Sequence, residues 1–110
     1  DFYASFTIGG RFATNINMLM FDRDKPAQVE TMKKLFNALI ENTAKAGYGE
    51  YRTHLGWMDA VSGTYNFNNG AQRRLNEAVK DAIDPNGILS PGRGGIWPKA
   101  HRARRGAVRK

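Results

Sequence analysis

Tyr51 and Arg52 stand side by side in the run Tyr48-Gly49-Glu50-Tyr51-Arg52-Thr53-His54. Arg52 is a cation that cannot be deprotonated, and it presents a planar fork of donors. Tyr51 adds a phenol hydroxyl that can donate from an apolar site. Together they suit a delocalised anion such as a phenolate, a carboxylate or a reduced flavin. A plainer reading pairs Arg52 with Glu50 or Asp59 and leaves Tyr51 as a half-buried packing residue.

A second cluster follows the turn Asp84-Pro85-Asn86-Gly87. It places Arg93 in the loop Ser90-Pro91-Gly92-Arg93-Gly94-Gly95-Ile96-Trp97-Pro98. Glycines allow a backbone to approach a ligand closely. The loop lacks the Gly-Lys-Ser/Thr ending of a nucleotide-binding P-loop, and an ordinary surface turn is the alternative. The chain has no cysteine, which removes disulfides, thiolate metal sites and cysteine nucleophiles. His54 and His101 are too few and too far apart to suggest a histidine metal site.

The elements that must carry these residues can be read from periodicity. Phe2, Ala4, Phe6 and Ile8 alternate with Tyr3, Ser5 and Thr7, the pattern of a strand with one buried face. Residues 13–21 alternate again, with Ile16, Met18 and Met20 opposed by Asn15 and Asn17. A Gly9-Gly10 turn between the runs makes them a hairpin, or neighbours in a larger sheet. Two strands alone are marginal in water, so partners from elsewhere are expected. Asp24 is a candidate cap and Pro26 a first-turn residue for a helix ending near Gly47. Its apolar stripe is Val29, Met32, Phe36, Leu39, Ile40 and Thr43, expected to face a sheet. A short helix is expected over 57–65 and another over 71–83, the latter with Leu75, Ala78, Val79 and Ala82 on one face. Asn66 to Gly70 reads as a loop, and Asp84 to Gly87 has the residues of a type I turn.

Three stretches together resemble one family. Gly49 to Asp59, Tyr65-Asn66-Phe67-Asn68-Asn69 and Asp84 to Pro98 resemble the C-terminal end of the vanillyl-alcohol oxidase and 4-cresol dehydrogenase family, bacterial eugenol oxidases in particular. Glu50-Tyr51-Arg52-Thr53-His54, in that order and spacing, carries most of the likeness. The Asp-Pro-Asn-Gly-Ile turn and Pro-Gly loop also occur in related flavin oxidases. The likeness covers residues 1–98.

The resemblance implies an α+β fragment of a longer flavoprotein, incomplete as an enzyme by itself. Residues 1–46 would be the end of a substrate (cap) domain, two strands plus a helix. Residues 47–98 would be the C-terminal returning segment of an FAD-binding domain, and 99–110 a basic tail. The opening at Asp1 rather than Met fits a start inside a longer protein. The implied activity is oxidation of para-substituted phenols, of the vanillyl alcohol, eugenol or 4-alkylphenol type, with FAD as cofactor. Tyr51 and Arg52 would bind the phenolic oxygen as phenolate, and Arg52 and Arg93 would lie by the flavin. Hydride transfer to flavin leaves negative charge at its N1–C2=O2 locus, where a fixed cation stabilises it. A phenolate pushes electrons toward the para carbon as hydride leaves, giving a quinone methide. Oxidase and dehydrogenase chemistry fit equally. His54 is expected as a hydrogen-bonded structural residue, and Trp57 and Trp97 as packing residues. The intact protein is expected to be a cytoplasmic homo-oligomer without a membrane span, with the Asn66–Asn69 loop as one possible interface.

Charge offers a competing reading. The net charge is +7, and six basic residues lie between Lys99 and Lys110 without an acid. The rest has eleven basic residues against ten acidic. A basic tail can bind nucleic acid or anionic lipid. Because the body is near neutral, a nucleic-acid module is the lesser expectation, and a disordered, solubilising end the greater.

Overall fold

The computed structural model describes residues 2–102. It divides into two compact units, Asp1–Glu41 and Asn42–Lys110, and each is considered by itself. The elements are strands β1 (Phe2–Ile8) and β2 (Ala13–Leu19), then helices α1 (Pro26–Lys45), α2 (Met58–Thr64) and α3 (Phe67–Ile83). Single 3-10 turns lie at Leu55–Trp57 and Arg93–Gly95. This is the expected α+β arrangement.

β1 and β2 form an antiparallel hairpin closed by the Gly9 N–H donating to Phe12 O at 2.8 Å. Its register overturns the expectation of a single buried face. Cross-strand partners share a face. Met18 lies opposite Tyr3 and Ile16 opposite Ser5, whereas Phe6 lies opposite Asn15 and Ala4 opposite Asn17. The apolar sets of the two strands therefore fall on opposite faces, and each face is mixed. Both remain open, with Phe6 64% and Met18 52% exposed.

α1 begins on a local exchange of hydrogen bonds around Asp22 rather than on the expected Asp24. The Asp22 carboxylate accepts from the Asp24 N–H at 3.0 Å and pairs with Lys25 at 3.2 Å. The Gln28 side-chain oxygen accepts from the Asp22 N–H at 2.8 Å. This is the reciprocal logic of a capping box. The helix ends as a Schellman motif: Tyr48 N–H donates to Thr43 O at 2.9 Å and Gly47 N–H to Ala44 O at 3.0 Å. Gly47 has φ +84°, a conformation that a Cβ disfavours. Val29, Met32 and Phe36 are half-buried and Ile40 is buried, while Leu35 and Leu39 are exposed. The inward stripe is thus narrower than the periodicity suggests.

In the second unit, Val61 on α2 is the buried apolar centre. The right-handed part of α3 starts at Ala71, as expected. Asn68, Asn69 and Gly70 before it adopt three consecutive left-handed conformations. The Arg74 guanidinium donates to the carbonyls of Asn68 and Asn69 and holds this turn. α3 buries the opposite face from the one its apolar residues mark. Arg73, Glu77, Lys80 and Asp81 are half-buried, while Leu75, Val79 and Ile83 are exposed.

The cause is the chain that follows. Asp84, only 4% exposed, accepts from the N–H groups of Ile88 (2.9 Å) and Leu89 (3.0 Å) and pairs with Lys80 at 2.6 Å. The Gly87 N–H donates to Asp84 O at 3.0 Å and closes the expected turn. Arg102 donates from both terminal nitrogens to the two Asp81 carboxylate oxygens, and its Nε lies 3.7 Å from Glu77. Polar partners supplied by residues 84–102 draw the charged face of α3 inward. The expected tail starts at Lys99, inside the described residues. Residues 99–102 form a helical turn tied to α3, and the rest of the expected tail lies outside the described residues.

Candidate active site

Segment 50–53 is pinned on both sides. Before it, the Tyr65 hydroxyl at the end of α2 donates to Glu50 O at 2.9 Å. After it, His54 caps the first 3-10 turn, its Nδ1 accepting from the Gly56 N–H at 3.1 Å. The His54 ring also meets Trp57 edge-on, with centroids 5.6 Å apart. His54 thus has local bonding and packing contacts that shape the chain next to Arg52.

The Arg93 loop is fastened to α2 at three points. The Trp97 indole N–H donates to Asp59 Oδ1 at 2.7 Å. The Gly94 N–H points at the Met58 sulfur at 3.3 Å. Gly95 is buried against Ser62, so close that a Cβ there would lie 2.5 Å from the Ser62 Cβ and 2.9 Å from Met58 O. Only glycine permits this approach, and its φ of +75° favours glycine as well. α3 joins through Arg73, whose Nη2 donates to Ser62 Oγ at 3.1 Å.

These contacts bring Tyr51, Arg52 and Arg93 to one cavity of about 470 Å³. All three residues proposed from sequence line it. Met58, Val61 and Ile96 give it an apolar side. The cavity is open, and Tyr51 is 69% exposed. Its described lining is one-sided in charge, with Arg52, Arg73 and Arg93 set against one acidic residue, Glu50. Among the described residues, neither Arg52 nor Arg93 forms an ion pair, so the pairing of Arg52 with Glu50 or Asp59 is not what the structure contains. Such a site attracts a delocalised anion.

Two further lining residues escaped sequence reasoning. Thr53 Oγ1 is buried without a hydrogen-bond partner among the described residues. Arg73 sits on the charged face of α3, which reads as solvated in sequence because the apolar residues mark the other face. Among the described residues no His/Asp/Glu group could hold a metal ion, and no helix is long and apolar enough to cross a membrane.

Comparison with known proteins gives a consistent picture. Residues 14–93 match the family model described as FAD linked oxidases, C-terminal domain. The chain is 34% identical over 96 residues to the 4-cresol dehydrogenase [hydroxylating] flavoprotein subunit of Pseudomonas putida, covering 87% of this chain and 18% of that protein. It superposes with a TM-score of 0.87 and 45% identity on 4-ethylphenol oxidase from Gulosibacter chungangensis, solved as an isoeugenol complex. That match covers 91% of this chain and 19% of that one. The chain thus spans about a fifth of the length of each relative.

Proposed function

The chain belongs to the family of FAD-linked oxidases, C-terminal domain, and on that ground we propose that it forms the phenol- and flavin-facing part of an FAD-dependent oxidoreductase acting on para-substituted phenols. The observation that carries this reading is the meeting of Tyr51, Arg52 and Arg93 at one cavity, with both arginines unpaired among the described residues. The relatives act in the same direction, one named for 4-cresol and the other for 4-ethylphenol.

The residues present fit the flavin. Unpaired guanidinium groups in the cavity meet the need of an aromatic system that becomes anionic on reduction, and the orphaned Thr53 hydroxyl offers a further polar partner. When bound, FAD supplies the hydride acceptor. The chain's own residues prepare the donor. The phenol's proton leaves to solvent through the open cavity; the Tyr51 hydroxyl donates a hydrogen bond to the resulting phenolate oxygen, and Arg52 stabilises its charge. The negative charge then pushes electron density through the ring toward the para position, which lowers the barrier to loss of hydride there. Arg93 places a second fixed cation in the same cavity, on a loop that three contacts hold still.

Residues 1–46 are assigned to the end of the cap domain and 47–98 to the returning segment of the FAD-binding domain; the division of the chain near Glu41 supports this. The same reading takes the intact protein as a cytoplasmic homo-oligomer, with the remainder of the flavoprotein as partner to this segment. The test is anaerobic reduction of the holoenzyme flavin by a 4-alkylphenol, followed by absorbance. Arg52→Ala should slow reduction by roughly a hundredfold, the scale of losing one preorganised charge-stabilising donor. An unchanged reduction rate with full FAD content overturns the role given to Arg52.

A further inference from the structure

Among the described residues, the charged side chains of α3 are matched with one exception. Lys80 pairs with Asp84, while Glu77 and Asp81 pair with Arg102. Arg74 is spent on the carbonyls of Asn68 and Asn69. Arg73 has no carboxylate at ion-pair distance among the described residues. It is half-buried, and one of its five N–H donors is engaged, by the neutral Ser62 hydroxyl at 3.1 Å. A guanidinium drawn partly out of water without a counter-charge is costly, and an anion offsets that cost.

Its position indicates which anion. Arg73 lines the cavity shared by Tyr51, Arg52 and Arg93. The Ser62 side chain that holds Arg73 is also the one against which Gly95 packs, two residues beyond Arg93. One residue of α2 therefore anchors both Arg73 and the Arg93 loop.

We propose that Arg73, held by Ser62, is a third cation of the flavin site and raises the electron affinity of the bound flavin by stabilising its anionic reduced form. This rests on the flavin-dependent reading above. Arg73 transfers no proton and forms no bond; it acts as a fixed charge. Its effect belongs to the midpoint potential and to anion addition at the flavin, before any substrate is present.

The test uses the holoenzyme containing this segment, without phenol. Sulfite, which adds to oxidised flavin and leaves an anionic adduct, is titrated by absorbance, and the midpoint potential is measured by dye equilibration. Arg73→Gln, which removes the charge, should weaken sulfite binding about tenfold and lower the two-electron midpoint by about 30 mV, the same factor expressed as a potential. Arg73→Lys should restore most of both values. Ser62→Ala, which keeps the Cβ packed against Gly95, should shift both in the direction of Arg73→Gln but less far. If Arg73→Gln does not retain FAD, Ser62→Ala against the unsubstituted enzyme decides. Unchanged sulfite affinity and potential in the deciding variant, with Arg52→Ala altering both, overturn the role of Arg73 and leave the flavin reading standing. If Arg52→Ala alters neither, the flavin reading itself fails.

Discussion

The indole N–H of Trp97 donates to the Asp59 carboxylate over 2.7 Å. This bond joins the loop that carries Arg93 to the helix that walls the cavity. The Trp97 carbonyl in turn accepts from Arg102, whose guanidinium also binds Asp81. The position of Arg93 is thus set by a chain of polar contacts running from α2 to α3. Trp97→Phe keeps one aromatic ring and removes the donor together with part of the indole. It should lower stability by about 2 kcal/mol, the scale of a hydrogen bond to a charged partner. It should also loosen the Arg93 loop, seen as weaker FAD retention on gel filtration. Unaltered melting and retention would mean that the loop is held by its glycine contacts alone.

On the proposed function Tyr51 touches the phenol and does not support the fold. Tyr51 is 69% exposed, and the segment around it is held by Tyr65 and His54 instead. Tyr51→Phe should weaken binding of a phenol such as isoeugenol about tenfold, the effect of losing one hydrogen bond to a charged oxygen. The melting temperature should stay close to that of the parent. Equal affinity in a spectral titration would remove Tyr51 from the phenol site.

Gly95 is where steric fit governs the site. A methyl group there would clash with the Ser62 Cβ and the Met58 carbonyl on α2. Gly95→Ala should therefore cost about 2 kcal/mol or more from overpacking and a left-handed φ. Urea denaturation reads the loss directly. Gly94→Ala is the comparison, since a Cβ at Gly94 meets nothing within 4 Å. Equal losses in the two variants would show that φ alone sets the cost.

The turn after α3 should fail in acid. The hydrogen bond from Lys80, helped by the Ile88 and Leu89 N–H groups, holds the Asp84 carboxyl below the usual carboxylate range. The hydrogen bond from Arg102 does the same for Asp81. Each carboxylate is bound more tightly in the folded state, so its stabilisation is complete above the unfolded-state pKa of about 4. It is lost as pH falls from there through the lower folded value. The melting temperatures of the parent and Asp84→Asn should differ at pH 7 and converge as pH falls below about 4. A gap that persists undiminished to the lowest pH would assign the effect to the amide substitution and not to charge.

Much of this protein is written locally, and that part was legible in sequence. The hairpin, the end of α1 at Gly47, the start of regular α3 at Ala71 and the Asp84–Gly87 turn depend on residues within a few positions of one another. Tyr51, Arg52 and Arg93 stood out because their types and neighbours carry chemistry whatever the fold. Register, inward faces and convergence are non-local. One residue of slip would have put Ile16 and Phe6 on the same face, and only strand pairing excludes it. Apolar spacing pointed to the wrong side of α3, because ion pairs made by Asp84 and Arg102 outweigh a hydrophobic stripe that nothing among the described residues of its unit covers. The meeting of Arg73 and Arg93 at the cavity that Arg52 lines rests on Ser62 and Gly95 packing without a gap, a contact between distant stretches that no local pattern encodes.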